Sequence, residues 1–128
     1  VEAVKAINER QKKEKFFEIL YVSNNVVLEA STSNFFVFIG DKLITPKGNI
    51  LKGITRNLVI KLAKKEFEVE ERELKTEELA LVTEAFIAAT NKDIVPVVQI
   101  DDKKIGSGKP GNNTKRLMEI FEEFVRNY

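Results

Sequence analysis

The stretch Leu28-Glu29-Ala30-Ser31-Thr32-Ser33-Asn34-Phe35-Phe36-Val37-Phe38-Ile39 sets a carboxylate and a small polar run directly before an uninterrupted apolar strand. A carboxylate in a row of apolar and small residues costs free energy unless something pairs with it. Taken alone, Glu29 reads as a strand-end residue facing solvent or an arginine, because charged side chains are mostly exposed. Working outward, Phe17 to Val22 and Val26-Val27-Leu28 are strand candidates joined at Ser23-Asn24-Asn25. Asparagine tolerates the left-handed backbone that tight hairpins need. Downstream, Gly40-Asp41 turns the Phe35–Ile39 strand into Lys42-Leu43-Ile44-Thr45, which Pro46 ends.

Past that hairpin the period changes. Ile54, Leu58, Val59, Leu62 and Ala63 recur at helical spacing, which predicts an amphipathic helix over 54–65. Phe67 to Glu70 alternates as a half-buried strand. Thr76-Glu77-Glu78-Leu79 predicts a short helix with a threonine cap and carboxylates in its first turn. Ala85–Ala89 and Ile94–Ile100 read as strands, the second turning at Asp101-Asp102. Leu117, Ile120, Phe121, Phe124 and Val125 mark a helix over 112–127. Residues 2–15, charged with sparse apolar positions, read as an exposed helix. No repeat or linker divides the chain, so residues 1–128 are expected to form a single α+β domain.

Composition narrows the chemistry. The 128 residues are 43% hydrophobic and 32% charged, with 21 basic and 20 acidic residues for a net charge of +1. That balance lacks the basic excess needed to neutralise a phosphate backbone, which argues against nucleic acid. The chain has no cysteine and no histidine, so disulfides, zinc–thiolate sites and thiol nucleophiles are excluded and no metal site is expected. Any acid or base within the chain is Lys, Asp, Glu or Tyr. No apolar run reaches the length of a membrane span, and the cytoplasm is the expected compartment.

Two further segments carry candidate chemistry. In Leu51-Lys52-Gly53-Ile54-Thr55-Arg56, a glycine and a threonine open a helix whose free N–H groups and partial positive charge suit a phosphate. Read alone, this is an ordinary helix start with Thr55 capping, and Arg56 serves structure by bonding a nearby carboxylate. Phe86-Ile87-Ala88-Ala89-Thr90-Asn91 is a strand ending in a hydroxyl and an amide. Gly106-Ser107-Gly108-Lys109-Pro110-Gly111 lacks the spacing of a P-loop and reads as a connector into the last helix.

The order of these three segments resembles the pyridoxal 5'-phosphate (PLP) site of the class IV aminotransferases, which include the branched-chain and D-amino-acid aminotransferases. The resemblance implies a mixed, barrel-like sheet flanked by helices, as in the large domain of those enzymes. It implies cofactor contacts at Glu29, Ser33, Asn34, Gly53, Ile54, Thr55 and Thr90, with Glu29 pairing with the pyridine nitrogen and Gly53–Thr55 and Thr90 holding the phosphate. Asn91, where many members carry a small residue, falls where a backbone N–H helps hold the substrate carboxylate. The Gly108-Lys109-Pro110-Gly111 segment also has a family counterpart.

The family's Schiff-base lysine lies roughly thirty residues before its glutamate, whereas 28 residues precede Glu29 here. Lys5, on the expected exposed helix, is not read as its substitute. The resemblance therefore implies a C-terminal, cofactor-binding domain whose N-terminal domain and lysine lie upstream, and no residue of this chain is assigned as catalytic. Alone, such a fragment is expected to be inactive and to hold PLP weakly or not at all. The parent is expected to be a homodimer moving an amino group between an amino acid, branched-chain as the first reading, and a 2-oxo acid. An aminodeoxychorismate lyase-type enzyme and a non-catalytic binding or dimerisation domain are the alternatives.

Overall fold

The computed structural model describes residues 2–10, 14–23, 25–30, 34–46, 53–89 and 93–127. Its strands are β1 (Glu2–Arg10), β2 (Glu14–Ser23), β3 (Val26–Ala30), β4 (Asn34–Ile39), β5 (Lys42–Thr45), β6 (Glu68–Glu71), β7 (Leu74–Lys75), β8 (Glu84–Ala89), β9 (Asp93–Ile100) and β10 (Lys103–Lys104). Helix α1 spans Ile54–Ala63, α2 spans Asn112–Arg126, and a 3-10 helix covers Thr76–Leu81. The strands form one sheet in the order β6-β5-β4-β8-β9-β1-β2-β3-β7, with β10 also on β9. Every pairing is antiparallel except β5–β6, which α1 connects as a parallel crossover.

The expected α+β fold and its helix-flanked sheet are present, and alternation along the central strands explains why their sequences are apolar throughout. Phe35, Val37, Ala85, Ile87, Val95 and Val97 point to one core. Val22, Val27 and Leu74, from the opposite end of the strand order, join that same core. The sheet must therefore curl for these distant strands to meet, which gives the barrel-like form. The alternate residues Phe36, Phe38, Phe86, Ala88 and Ile94 face outward into a second core, covered by Val59, Ile60, Leu62 and Ala63 of α1 and by Leu117 and Phe121 of α2. A strand buried on both faces has no polar positions to alternate.

The expected helix over 2–15 is not formed. Residues Glu2–Arg10 are β1, and β2 begins at Glu14. β1 pairs along its length with β2, from Glu2↔Val22 to Arg10↔Glu14, and on its other side with β9. Helix propensity is a weak preference, and two sheet edges needing hydrogen bonds override it. The short helix at Thr76 also starts differently from expectation. Its cap is Lys75, whose N–H donates to the Glu78 carboxylate at 2.9 Å, while the Thr76 N–H donates to the Asn25 carbonyl at 2.8 Å. Asn25 takes the left-handed backbone foreseen for the hairpin, with φ of 63°.

Helix α2 is capped from outside its own sequence. Glu84, on β8, accepts from the N–H groups of Asn113 at 3.2 Å and Thr114 at 2.6 Å. Its carboxylate satisfies donors left free at a helix start and complements the helix dipole. Gly111 makes this approach fit, since a Cβ there would overlap the Glu84 side chain. We predict that Glu84→Ala destabilises the domain by about 1–2 kcal/mol, as loss of a cap does. Gly111→Ala should cost a similar amount by expelling the Glu84 carboxylate, so the double variant should fall well short of the sum in urea denaturation. Full additivity would show that the two residues do not act through one cap.

Arg72 joins the β6 edge to the 3-10 helix, bonding Glu70 at 2.9 Å and Glu78 at 3.0 Å. These bonds hold both carboxyls below the ordinary glutamate range, with Lys42 adding to the effect at Glu70 and the Lys75 N–H at Glu78. A lowered carboxyl contributes stability above its unfolded value, and that contribution is lost as pH falls through the folded one. Arg72→Met should accordingly lower the urea midpoint at pH 7 and matter progressively less below about pH 4. An equal loss at pH 7 and pH 3 would mean that packing, not charge, is what Arg72 supplies.

Candidate functional site

Antiparallel pairing collects the candidate residues at one end of the sheet. β4 starts at Asn34 opposite Ala88, and Ala89 near the end of β8 faces Asp93 at the start of β9. The Thr45 hydroxyl, on the last residue of β5, donates to the Phe35 carbonyl at 2.9 Å. β3 ends at Ala30, three residues short of that same β4 start. Glu29 is the penultimate residue of β3. Across from it the ladder slips: Leu20 pairs with Ala30 and Val22 with Val27, so Leu28 and Glu29 together oppose Tyr21. Such bulges recur beside active sites, where they break the strand's strict alternation.

Helix α1 begins at this same end. Its first intrahelical bond runs from the Asn57 N–H to the Gly53 carbonyl at 3.2 Å, so the N–H groups of Ile54, Thr55 and Arg56 precede the ladder. Gly53, the cap residue, offers no side chain to the helix start, and the first turn holds no carboxylate. Gly53 has φ of −104° and ψ of 159°, backbone open to any residue. A Cβ at Gly53 would meet Asn34 Oδ1 at 3.5 Å, an ordinary contact. With no side chain of its own, Gly53 lets the backbone at this helix start come close to a phosphate group. Asn34 is buried beside it, Thr55 is half-buried, and Ile54 is 87% exposed.

The structure thereby brings together Asn34, Gly53, Ile54 and Thr55 and places Glu29 in the strand that leads to them. Ser33, Thr90 and Asn91 lie outside the described residues. Among the described residues, no group of three or more Asp or Glu side chains could hold a metal ion, and no helix is long and apolar enough to cross a membrane.

Arg56 does bond a carboxylate, as its sequence context suggested, and it does more. Its guanidinium is 1% exposed and donates to both the Pro46 carbonyl and Glu71 Oε1, each at 3.1 Å. Pro46 follows β5 and Glu71 ends β6, so one side chain ties the first turn of α1 to two strand ends. The sequence reading missed Thr45 and Glu71 as supports of this end. A signal for Glu71 existed, because Arg56 shares a helical face with the buried Val59, Ile60 and Ala63. A cation on an apolar face demands a partner.

Comparison with known proteins identifies the family. The family model for amino-transferase class IV matches residues 2–100. The chain is 46% identical over 112 residues to a probable branched-chain-amino-acid aminotransferase of Aquifex aeolicus, covering 84% of this chain and 36% of that protein. It resembles the crystal structure of the Escherichia coli branched-chain amino acid aminotransferase with a TM-score of 0.77 and 37% identity, covering 83% of this chain and 36% of that one. The PLP form of the Thermobaculum terrenum branched-chain amino acid aminotransferase matches with a TM-score of 0.80 and 36% identity, covering 86% and 38%. The chain thus spans little more than a third of the length of these relatives. A match over most of this chain, by sequence and by backbone alike, shows that it belongs to the class IV aminotransferase family.

Proposed function

We propose that this chain is the C-terminal, cofactor-holding domain of a PLP-dependent aminotransferase, whose N-terminal domain and Schiff-base lysine lie outside it. The observation that carries this reading is the start of α1 at Gly53, a cap residue without a side chain before a first turn without a carboxylate, set beside Asn34 at the sheet end to which β3 leads. The names of its relatives support a branched-chain amino acid and a 2-oxo acid as substrates. These names favour an aminotransferase over a lyase or a non-catalytic domain. A homodimer in the cytoplasm is the assembly and location that the family resemblance implies.

When bound, PLP supplies an electron-withdrawing ring that carries the amino group between substrates. In this reading the Glu29 carboxylate keeps a proton on the pyridine nitrogen, and Ser33 and Asn34 line the same edge. The N–H groups of Ile54 and Thr55, the Thr55 hydroxyl and Thr90 hold the phosphate at a helix start whose dipole favours negative charge. The Asn91 N–H receives the substrate carboxylate. In a site closed to water these donors act at low dielectric, where each is stronger than in solution.

The reading is tested in the full-length protein by adding PLP and following amino transfer from leucine, isoleucine or valine to 2-oxoglutarate. Uptake of PLP with transfer supports it, and a protein that takes up no PLP overturns it. Glu29→Gln should cut turnover while leaving the thermal midpoint in place, and unchanged turnover would remove Glu29 from the ring nitrogen. Thr55→Ala and Thr90→Ala should each weaken PLP retention by about 1.5–3 kcal/mol, the size of a hydrogen bond to a charged group. Wild-type retention in both would place the phosphate elsewhere.

A further inference from the structure

Arg56 occupies the third position of α1, directly after the two residues whose N–H groups open the helix. Its side chain does not reach solvent. It turns back to the Pro46 carbonyl and the Glu71 carboxylate, so the helix start is fixed against the ends of β5 and β6. Pro46 and Arg56 are ten residues apart, and their bond closes the stretch that enters the helix.

Packing alone does not explain this side chain. A leucine or methionine would fill the face shared with Val59, Ile60 and Ala63 without the cost of desolvating a guanidinium. That cost is only partly offset, since Nε is buried with no hydrogen-bond partner among the described residues. What an arginine supplies and a methionine cannot is the planar Nη2, whose two N–H groups point in fixed directions and here meet two acceptors. A geometry held this way matters where other atoms must be placed to a fraction of an ångström, and the N–H groups next to it are such atoms.

We propose that Arg56 is a positioning residue for phosphate recognition, setting the N–H groups of Ile54 and Thr55 at the angle and distance a phosphate needs. This rests on the aminotransferase reading above and adds to it a residue that does not itself touch the ligand. Loss of these two bonds would let the first turn of α1 drift and weaken the grip on the phosphate. Contacts to the pyridine ring, supplied from β3, would be left as they are.

The test uses the full-length protein with Arg56→Met and Arg56→Lys. Dissociation constants are measured for PLP and for pyridoxal, which lacks the phosphate, together with the thermal midpoint. The preference for PLP over pyridoxal should fall roughly tenfold in Arg56→Met, the value of one such bond. It should fall severalfold in Arg56→Lys, which keeps the charge but not the planar, fixed pair of N–H groups. Pyridoxal affinity itself should stay within about twofold in both, because its contacts do not pass through α1. A purely structural role would lower the thermal midpoint and leave the preference unchanged, and that result overturns the proposal. Should Arg56→Met fail to fold, Arg56→Lys decides alone, and an unaltered preference there is equally decisive. If the unsubstituted protein binds neither compound, the aminotransferase reading fails and the proposal with it. If it binds PLP and the preference survives both substitutions, the positioning role alone is lost.

Discussion

The ladder between β4 and β8 is the contact on which the rest of the molecule depends. It pairs strands fifty residues apart, and across it Phe36 stacks on Phe86 with ring centroids 4.7 Å apart and planes within 11°. Both strands are buried on both faces, so their outward residues form the floor on which α1 and α2 pack and their inward residues form the centre of the curled sheet. Phe38 extends the outer floor by meeting Phe67 edge-on at 5.1 Å, just after α1 ends. Removing apolar surface from water on two sides gives each residue of these strands more stabilisation than a half-exposed strand could offer.

That arrangement also decides where the chemistry can lie. Because the strands around β4 run antiparallel, their ends alternate between two rims of the sheet. One rim gathers the β3 end, the β4 start, the β5 end and the first turn of α1. The opposite rim carries structural ties. There Glu84 caps α2, Asn113 bonds Asp41 at 3.0 Å, and the Thr83 hydroxyl donates to the Phe38 carbonyl at 3.1 Å. The two rims are chemically distinct. At one helix start a carboxylate from another strand occupies the N–H groups, while the other begins at a glycine and holds no carboxylate in its first turn. A carboxylate at a helix start contributes stability, and a first turn without one leaves the helix dipole to favour an anion.

Surface charge is distributed by the same logic. The β6 edge carries Glu68, Glu70 and Glu71, with Lys42 bridging two of them from β5. Charged edge residues discourage pairing with a further strand. Glu71 differs from its neighbours, since its partner is the buried Arg56 and not another surface group. An acidic edge that protects the sheet therefore also anchors the helix start. At the far end of α1, Arg116 grips Glu66 with bonds of 3.0 and 2.7 Å and ties α2 to the turn that follows α1.

By itself the sequence determined the elements whose patterns are strong and local. The apolar runs Phe35–Ile39 and Ala85–Ala89, the helical spacing of α1 and α2, and the Asn25 turn follow from side-chain size, period and backbone preference. The order of the Glu29, Gly53 and Thr90 segments was enough to indicate the family. Tertiary structure alone decided the state of Glu2–Arg10, where a charged segment with no clean period became a strand because β2 and β9 each offered an edge. It also decided the cap of α2, the bulge at Leu28–Glu29 and the two acceptors of Arg56. Each of these depends on a partner outside the element itself. Local propensity amounts to tenths of a kcal/mol per residue and carries no information about such partners, whereas an unmet buried hydrogen-bonding group costs several times more and is settled only when the chain has folded.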